Sequence, residues 1–449
     1  MAASAMFAEL PNGLQIQPFT GPIRGQVILP GSKSITNRAL LLAALSKQQV
    51  TLQGALFSED SLIMARALEK LGFTISSDLN QRSFTIQGAA GQIPNAQANI
   101  YVGTAGTAAR FLPAVCALHP NGVYYFDGSA AMRLRPMKGL LEALAAQGCT
   151  FDFEGEAWQL PFTMKTCGLK GGNIKIDASS SSQGLSALLM VAPLAKAPCK
   201  IQLSSTIVSE PFVEMTLAMM HSFGAKPSSK NDLFEVPLSG AYQPDSLYAI
   251  EPDATAASYF CALVAIHGGT LDLPGLKLRS LQGDAEFIEL LRPLGLDCDR
   301  IENTWQLRGA GIKKLNTHQR LNMNRISDTF LTLAALAPLL GSAITLEGLA
   351  HTRSQESDRI AAMEEGLEQL GQSVKITADS IEIAPAPLRA ATIRSHNDHR
   401  VAMSFGVLGT FNLYGNGKAW LQIDQPMCCQ KTFPDFFEIL ENLRCPTLS

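Results

Sequence analysis

Six short polar segments, each followed by an apolar run rich in Ala and Leu, recur along this chain of 449 residues. The helix-like stretches between them mostly end in Gly, and the spacings between these glycines are 76, 76, 71 and 76 residues. A regular period with similar content is typical of repeated structural units. The glycines are Gly72, Gly148, Gly224, Gly295 and Gly371, and the polar segments, called the polar heads below, are Gly31–Arg38, Gly103–Arg110, Ser179–Gln183, Glu251–Asp253, Asn324–Asp328 and His396–Arg400.

Each unit has the same predicted order: a polar head, an apolar helix, a strand, an amphipathic helix and one or two further strands. The first helix of each unit is apolar around nearly its whole circumference, so it must be buried on all sides. Three units can surround three such helices, and six units predict an α/β fold of two similar domains, each with buried helices inside and β-sheets outside. The predicted amphipathic helices are Glu59–Leu71, Met137–Gln147, Pro211–Phe223, Ala285–Leu294, Glu356–Leu370 and Phe433–Leu443.

Composition excludes several classes of protein. The net charge of −3 gives no general basic field for nucleic acid, and the longest apolar runs, such as Thr329–Leu340, are too short to span a bilayer. The N-terminus has no basic start followed by a continuous apolar stretch, so we expect no secretory signal. Nine cysteines without metal-ligand spacing favour reduced thiols, and we therefore expect a cytoplasmic protein without bound metal.

The polar heads are also candidate anion sites. The N-terminus of a helix presents unsatisfied N–H groups and a positive dipole end, which attract phosphate or carboxylate. Simple capping is the alternative, because Ser, Thr, Asp and Asn are the preferred N-cap residues. Capping does not account for Lys33, Arg38 and Arg400, whereas the head that contains Asp253 is equally compatible with a cap.

Several separated motifs together resemble the enolpyruvyl transferase family, and within it the enzymes that act on shikimate 3-phosphate. Each motif alone is weak, but their order along essentially the whole chain is highly specific. The motifs are Pro30–Arg38, Gly103–Arg110, Asp127–Ser129 with Arg135-Pro136, Ser181–Gln183, Asp328, Glu356–Arg359, Asn397–Arg400 and Lys431–Asp435.

The resemblance implies two domains of three repeats with helices inside and sheets outside. We expect residues 1–31 plus 252–449 to form the domain with the phosphoenolpyruvate cations and the acid/base carboxylates. Residues 32–251 would form the domain that grips shikimate 3-phosphate, with the active site in the cleft between the two. The implied reaction moves the enolpyruvyl group of phosphoenolpyruvate to the 5-hydroxyl of shikimate 3-phosphate and needs no cofactor. We expect a monomer with small-molecule substrates and no nucleic-acid or membrane partner.

The family's functional residues can be transferred motif by motif. Asp328, Glu356 and Lys33 are the implied acid/base residues, with no assignment of each to one proton transfer. Gly106 is implied to let the backbone approach phosphoenolpyruvate, and its small size leaves room for glyphosate, which occupies that site in the family. The implied shikimate 3-phosphate contacts are Lys33, Ser34, Arg38, Ser181, Ser182, Gln183, Ser209, Asp328 and Gln355, and those of phosphoenolpyruvate are Lys33, Gly106, Arg135, Gln183, Arg359, Arg400 and Lys431.

Four positions depart from the family pattern. Thr104, Phe111 and Phe212 stand where Asn, Pro and Tyr are frequent, and Gln355 replaces a frequent Lys. Our hypothesis is that the Gln355 amide still hydrogen-bonds the shikimate moiety.

Other interpretations of these residues remain open. Asp328 could merely cap the helix that follows it. His396 and His399 have a spacing that suggests a metal site, but the motif favours an orienting role for His399, with Asp398 fixing its tautomer.

Two alternative functions remain. A sister enolpyruvyl transferase acts on a UDP-sugar, and it commonly has a reactive Cys before its Arg-Pro, which the stretch 127–136 lacks. A non-enzymatic repeat scaffold would use the heads only as caps. Charged residues at five of the six heads argue against a scaffold, and phosphate release from phosphoenolpyruvate would distinguish the three functions.

Overall fold

The computed structural model describes residues 11–277 and 279–445, and the chain there divides into two compact units. The bipartite unit consists of the described parts of Met1–Pro30 and Glu251–Ser449, and the continuous unit consists of Gly31–Ile250. The chain thus passes from one unit to the other after Pro30 and after Ile250. The boundaries expected from the sequence lie one residue later at each position.

The continuous unit contains three four-stranded sheets. In spatial order, the strands of the first sheet are Leu247–Ala249, Gln49–Gln53, Ser83–Gln87 and Thr74–Asp78. Those of the second sheet are Gln97–Tyr101, Val123–Asp127, Phe162–Lys165 and Thr150–Phe153. Those of the third sheet are Gly172–Ile176, Cys199–Leu203, Leu233–Val236 and Ser228–Lys230.

The bipartite unit contains two four-stranded sheets and one three-stranded sheet among its described residues. In spatial order, the strands of the first sheet are Ile23–Gln26, Gly269–Pro274, Thr304–Gly309 and Leu296–Ile301. Those of the second sheet are Gln319–Asn322, Ile344–Glu347, Ile381–Ala384 and Ser373–Ile376. Those of the three-stranded sheet are Ala391–Ile393, Leu421–Ile423 and Leu14–Ile16.

Strand directions repeat in every sheet. The first two strands of each order above are parallel, and each later neighbour is antiparallel. The three-stranded sheet follows the same order as far as it extends. The sixfold repetition predicted from the polar heads is therefore also present in the strand pairing. The two strands that follow the first amphipathic helix, Thr74–Asp78 and Ser83–Gln87, form an antiparallel pair.

Each polar head leads into a buried helix, as predicted. Apart from the half-buried residues at some helix ends, every residue of these helices is buried. This burial is possible because Ala, Leu and other small or apolar residues occupy all sides of each helix. These six helices, called the core helices, are Lys33–Ala44, Gly106–Cys116, Gln183–Val191, Ala254–His267, Phe330–Leu336 and His399–Gly409.

The core helices pack on one another within their own unit. In the bipartite unit each of the three contacts the other two, which forms a single apolar core with Tyr259, Phe330 and Phe405 fully buried. The third and fifth core helices end in 3₁₀ turns, Ala192–Leu194 and Ala337–Leu339. Both turns have the sequence Ala-Pro-Leu, and Pro cannot donate the hydrogen bond that would continue an α-helix.

The amphipathic helices lie close to their predicted ranges. Five repeat glycines follow them with φ between +88° and +103°, a left-handed conformation that favours Gly at the end of a helix. Two helices start three residues later than predicted, at Arg359 because Asp358 is the N-cap, and at Phe436 because Pro434 disfavours helical residues before it. The helix predicted at Ala285–Leu294 is α-helical only over Phe287–Leu291 and has a 3₁₀ turn on each side. The helices are Glu59–Lys70, Lys138–Ala146, Pro211–Ser222, Phe287–Leu291, Arg359–Gln369 and Phe436–Arg444.

Short elements complete the fold. Several of them carry the residues of the candidate site. They are the helix Ala130–Arg133 and the 3₁₀ turns Gly283–Glu286, Arg292–Leu294, Asn324–Ile326, Ala350–Ser354 and Pro426–Lys431. Among the described residues, no helix combines the length and apolar character that crossing a membrane requires.

Candidate active site

Lys33 and Ser34 form the first turn of a core helix in the continuous unit. Ser32 caps this helix by accepting a hydrogen bond from the Ile35 N–H. The Lys33 ammonium lies 3.6 Å from the carboxylate of Asp60, which is 1% exposed. The sequence analysis missed Asp60 because an acidic residue in the first turn of a helix is common for electrostatic reasons alone.

Arg38 is a buried cation whose hydrogen-bond partners in the described chain are all neutral. Its guanidinium donates to Thr216 Oγ1 at 2.7 Å, to Ser186 Oγ at 3.3 Å, and to the carbonyl oxygens of Ser34 and Phe212 at 3.0 and 3.1 Å. Burial lowers the pKa of Arg38 to about 9, and no carboxylate of the described residues pairs with it. A buried cation of this kind favours an anionic ligand.

Phe111 and Phe212, which both depart from the family pattern, lie beside Arg38. The guanidinium carbon of Arg38 lies 5.3 Å from the centre of the Phe111 ring and 6.0 Å from that of Phe212. Aromatic faces attract a cation at such distances, so both rings stabilise the charged form without supplying a counter-ion. Phe111 and Phe212 therefore help to fix the position of Arg38.

The third polar head, Ser179–Gln183, contacts a loop in which Ser209 has a strained backbone conformation. The Ser182 hydroxyl donates to the Ser209 carbonyl at 3.5 Å, and Ser181 Oγ accepts a hydrogen bond from the Gln183 N–H at 3.2 Å. Ser209 is buried with φ of +51°, which costs roughly 1–3 kcal/mol in a residue other than Gly. Strain of this size is characteristic of functional sites, and the Oε1 atom of Gln183 is buried without a hydrogen-bond partner in the described chain.

Gly106 and Arg135 lie against each other. A Cβ atom added at Gly106 would be 2.8 Å from Arg135 Nη1, which is closer than such atoms approach. The loop that carries Arg135 is held by Arg110, whose guanidinium donates to the carbonyls of Gly106 and Pro136 at 3.1 and 2.7 Å. The absence of a side chain at Gly106 thus allows Arg135 to lie over the start of the core helix.

In the bipartite unit, three predicted cations and three carboxylates form one buried group, called the acid–cation cluster. Its residues come from loops and helix starts that are distant in sequence. They are Asp328, Glu356, Arg359, Asp398, Arg400 and Lys431.

Arg359 is the centre of this cluster. It is 1% exposed and donates to Asp328 at 2.8 Å, Asp398 at 2.9 Å and Glu356 at 3.0 Å. Burial alone would lower the pKa of Arg359, but the three carboxylates outweigh that effect and raise it. Its position is fixed because Arg359 is the first residue of a helix that Asp358 caps.

Asp328 accepts hydrogen bonds from two arginines. Its two oxygens lie 2.8 Å from Arg359 Nη1 and 2.7 Å from Arg400 Nη2, and its side chain is 16% exposed. Burial opposes the charge of Arg400, but Asp328 is the main cause that raises its pKa well above the usual value. The N-cap of the following helix is Thr329, so the capping interpretation of Asp328 is wrong.

Glu356 bridges two cations. One carboxylate oxygen lies 3.0 Å from Arg359 Nη2 and the other 3.0 Å from Lys431 Nζ. Its side chain is 13% exposed, whereas that of Asp398 is fully buried. Asp328 and Glu356 are therefore the carboxylates of the cluster that retain access to solvent.

Gln355 contacts the cluster through its amide oxygen, which accepts a hydrogen bond from Arg359. The amide N–H groups of Gln355 do not take part in this hydrogen bond and can therefore donate to a substrate. The hypothesis that it binds the shikimate moiety stays a prediction.

The two histidines of the last head belong to no group of metal ligands in the described part of the chain. His396 pairs with Glu365 at 2.9 Å, and within residues 11–277 and 279–445 no group of His, Cys, Asp and Glu could bind a metal ion. His399 Nδ1 lies 3.7 Å from Asp398 Oδ1, which is too long for a hydrogen bond. The Asp398 carboxylate accepts instead from Arg359, Ser357 and the Arg400 N–H, so it chiefly orients Arg359.

Two further aspartates lie near Arg400. Asp253 is the N-cap of its core helix, as one interpretation of that head predicted, and accepts the Ala256 N–H at 2.9 Å. Asp284, which the sequence analysis missed, is 7% exposed and accepts a hydrogen bond from Thr255. It lies in the turn Gly283–Glu286, whose sequence carries no recognisable motif, so a single sequence gave no signal for it.

The acid–cation cluster can bind an anion and move protons. Its three cations match a ligand that carries both a phosphate and a carboxylate, since Arg and Lys are the usual partners of these groups. Two part-exposed carboxylates beside them can accept and donate protons.

The chain matches the sequence model of one family over most of its length. The model described as EPSP synthase (3-phosphoshikimate 1-carboxyvinyltransferase) matches residues 19–440. A protein of Opitutus terrae named 3-phosphoshikimate 1-carboxyvinyltransferase is 48% identical, with 98% of this chain and 99% of the relative covered. A protein of the same name from a Nostoc species is 40% identical, with 94% and 97% covered.

Solved structures share the fold. A structure titled EPSP synthase from Acinetobacter baumannii superimposes with a TM-score of 0.78 at 23% identity, covering 96% of this chain and 98% of that chain. At this identity the likeness shows the fold alone.

Proposed function

The chain belongs to the EPSP synthase family, the 3-phosphoshikimate 1-carboxyvinyltransferases, and we propose that it transfers the enolpyruvyl group of phosphoenolpyruvate to shikimate 3-phosphate. The acceptor is the 5-hydroxyl of shikimate 3-phosphate, and the products are 5-enolpyruvylshikimate 3-phosphate and phosphate. This reaction belongs to the shikimate pathway, which leads to chorismate and the aromatic amino acids. The observation that supports the proposal most is the acid–cation cluster.

The continuous unit binds shikimate 3-phosphate in this proposal. Support comes from Arg38, a buried cation that pairs with none of the described carboxylates, and from the strained Ser209 next to Ser182. Lys33, Ser34, Ser181 and Gln183 complete the set. A dianionic phosphate and a carboxylate are the groups that such cations and hydroxyls bind.

Phosphoenolpyruvate binds to Arg359, Arg400 and Lys431 of the acid–cation cluster, with Lys33, Gly106, Arg135 and Gln183 as further contacts. An incoming phosphate and carboxylate would compete with Asp328 and Glu356 for these cations. Competition would leave the two carboxylates less well paired, which raises their proton affinity and prepares them for acid/base work.

The proton transfers balance over two steps. In the addition, C3 of phosphoenolpyruvate gains a proton, the 5-hydroxyl loses one, and its oxygen bonds to C2 to give a tetrahedral intermediate. In the elimination, the new methyl group loses a proton while the C2–O bond to phosphate breaks. We propose Asp328 as the base for the hydroxyl and Glu356 or Lys33 as the group that protonates C3.

We also infer that each unit has its core helices inside and its sheets outside. The support is the burial of all six core helices and the repeated strand order of the sheets. A cytoplasmic location fits nine cysteines that are all free thiols. The monomeric state stays a prediction, which sedimentation would test.

The test is phosphate release by the purified chain. We expect release with phosphoenolpyruvate and shikimate 3-phosphate, and a loss of about 10²–10⁴-fold in kcat for Asp328→Asn and Glu356→Gln, as for other acid/base residues. An exposed control, Glu441→Gln, should keep full activity. Turnover with a UDP-sugar instead would establish the sister activity, and no turnover with either acceptor would favour the scaffold.

A further inference from the structure

Asp284 is a buried acid held rigidly beside the acid–cation cluster. It lies in the turn Gly283–Glu286, which packs against the core helix Ala254–His267 and the turn Asn324–Ile326. The preceding residue, Gln282, clamps this turn to the start of the core helix. Its amide oxygen accepts the Ala254 N–H at 2.9 Å, and its amide nitrogen donates to a backbone carbonyl at 2.8 Å.

The carboxylate of Asp284 interacts with Arg400, Asp328 and Asp253 and accepts a hydrogen bond from Thr255. Other charged residues of the surrounding elements pair among themselves. These pairs are Glu286 with Arg325 at 3.9 Å, Glu251 with Lys277 at 3.5 Å and Glu289 with Arg292 at 2.6 Å.

The charges around Arg400 do not balance. The three cations of the cluster, Arg359, Arg400 and Lys431, are shared by five carboxylates: Asp328, Glu356 and Asp398 of the cluster and the nearby Asp253 and Asp284. Buried carboxylates that share a site cannot all ionise without a large cost. Burial, reinforced by Asp328, raises the pKa of Asp284 to about 7, so Asp284 is the member that stays neutral at lower pH.

We propose that Asp284 is a positioning residue for the enolpyruvyl transfer. The Arg400 guanidinium can bind Asp328 and the anionic substrate without competition from Asp284 only while the Asp284 carboxyl group is protonated. The ionised form competes with Asp328 for the guanidinium and repels phosphoenolpyruvate. Asp284 exchanges no proton with the substrates. This inference rests on the proposed function and adds a residue that sets the pH range of the reaction.

The experiment compares kcat/KM for phosphoenolpyruvate at pH 6 and pH 8 in three variants. In the wild type we expect a decrease of about tenfold between these values, as expected for one ionisation near pH 7. Asp284→Asn, which mimics the neutral acid, should lose this decrease. Thr255→Val removes a hydrogen bond that favours the ionised carboxylate and should shift the decrease to higher pH. Glu286→Gln, in the same turn, should keep the wild-type profile.

A second readout does not depend on turnover. Infrared difference spectra of wild type against Asp284→Asn should show a protonated carboxyl C=O band at pH 6 that disappears by pH 8. Absence of this band at pH 6, or a pH profile of Asp284→Asn equal to that of the wild type, would overturn the proposal. So would an equal loss of kcat/KM at both pH values, which indicates a merely structural role. No turnover by the wild type at any pH would instead contradict the proposed function, with the infrared band still deciding the state of Asp284.

Discussion

At the scale of single residues, buried cations in this chain have opposite surroundings. Arg359 and Arg400 each contact carboxylates that raise their pKa values. The described contacts of Arg38 are neutral oxygens and aromatic rings, and burial lowers its pKa to about 9. The sequence motif identified all three arginines but could not distinguish these environments. That distinction depends on which residues of other elements face each guanidinium, such as Thr216 and Phe111 for Arg38.

The surroundings of Arg38 predict a pH dependence of ligand binding. Arg38 is charged below its pKa of about 9 and loses its proton above it, and an anion binds only the charged form. Affinity for shikimate 3-phosphate should therefore be about fourfold weaker at pH 9.5 than at pH 7.5. Calorimetry at the two pH values measures this, and Arg38→Gln should bind weakly at both without the same decrease. An unchanged wild-type affinity would contradict the prediction.

Gln355 makes a second prediction at this scale. Its amide N–H groups remain for substrate, so Gln355→Ala should raise the KM for shikimate 3-phosphate by about five- to tenfold, as expected for one lost hydrogen bond of roughly 1 kcal/mol. Steady-state kinetics measures it, with Gln81→Ala in an exposed turn as the matched control. If the KM for shikimate 3-phosphate is the same in both variants, Gln355 does not contact that substrate.

At the scale of elements, helix starts carry most of the candidate site. Asp358 and Asp398 cap two of these helices while Arg359 and Arg400 occupy their first turns, so the caps and the cations are adjacent in sequence. The two arginines could be predicted from their motifs, as could the buried helices and the glycines that end the amphipathic helices. The two caps could not, because the predicted helix began at Glu356 and Asp398 was assigned to His399. Asp60 and Asp284 could not, because nothing in their local sequence distinguishes them from ordinary acidic residues at loop ends and helix starts.

Gly106 allows a test of one such helix start. Gly106→Ala would place a methyl group 2.8 Å from Arg135 Nη1, so the arginine side chain must move. Because the side chain is flexible, the fold should survive, while the KM for phosphoenolpyruvate rises by about tenfold through one weakened charged contact. Kinetics and thermal unfolding measure the two effects. Gly155→Ala, which meets no atom within 4 Å, is the control, and equal kinetics in both variants would contradict this role of Gly106.

At the scale of the whole molecule, the chain has two units with separate cores and separate groups of site residues. Strand order repeats in all six sheets. The sequence period could predict this repetition because each of the six sequence repeats has the same order of polar head, helices and strands. Individual strand ranges were less predictable. For example, Leu247–Ala249 joins the first sheet of the continuous unit from the opposite end of its sequence.

The division of the chain into two compact units predicts that the continuous unit can bind shikimate 3-phosphate by itself. A fragment of residues 31–250 contains complete sheets and three core helices, so we expect it to fold and to bind shikimate 3-phosphate more weakly than the full chain, by roughly tenfold, without releasing phosphate. Circular dichroism and calorimetry test both properties, and Arg38→Gln in the fragment should abolish binding. A folded fragment that does not bind would contradict our assignment of this ligand to the continuous unit.

The central claim is enolpyruvyl transfer by addition and elimination. It is tested most directly by mass spectrometry of the product formed from phosphoenolpyruvate and shikimate 3-phosphate in D₂O. Protonation of C3 from an acid that exchanges with solvent makes a CH₂D group, and loss of H or D from it returns a vinyl group. We predict 5-enolpyruvylshikimate 3-phosphate with deuterium in its methylene group. Product without deuterium, or no product at all, would contradict the account.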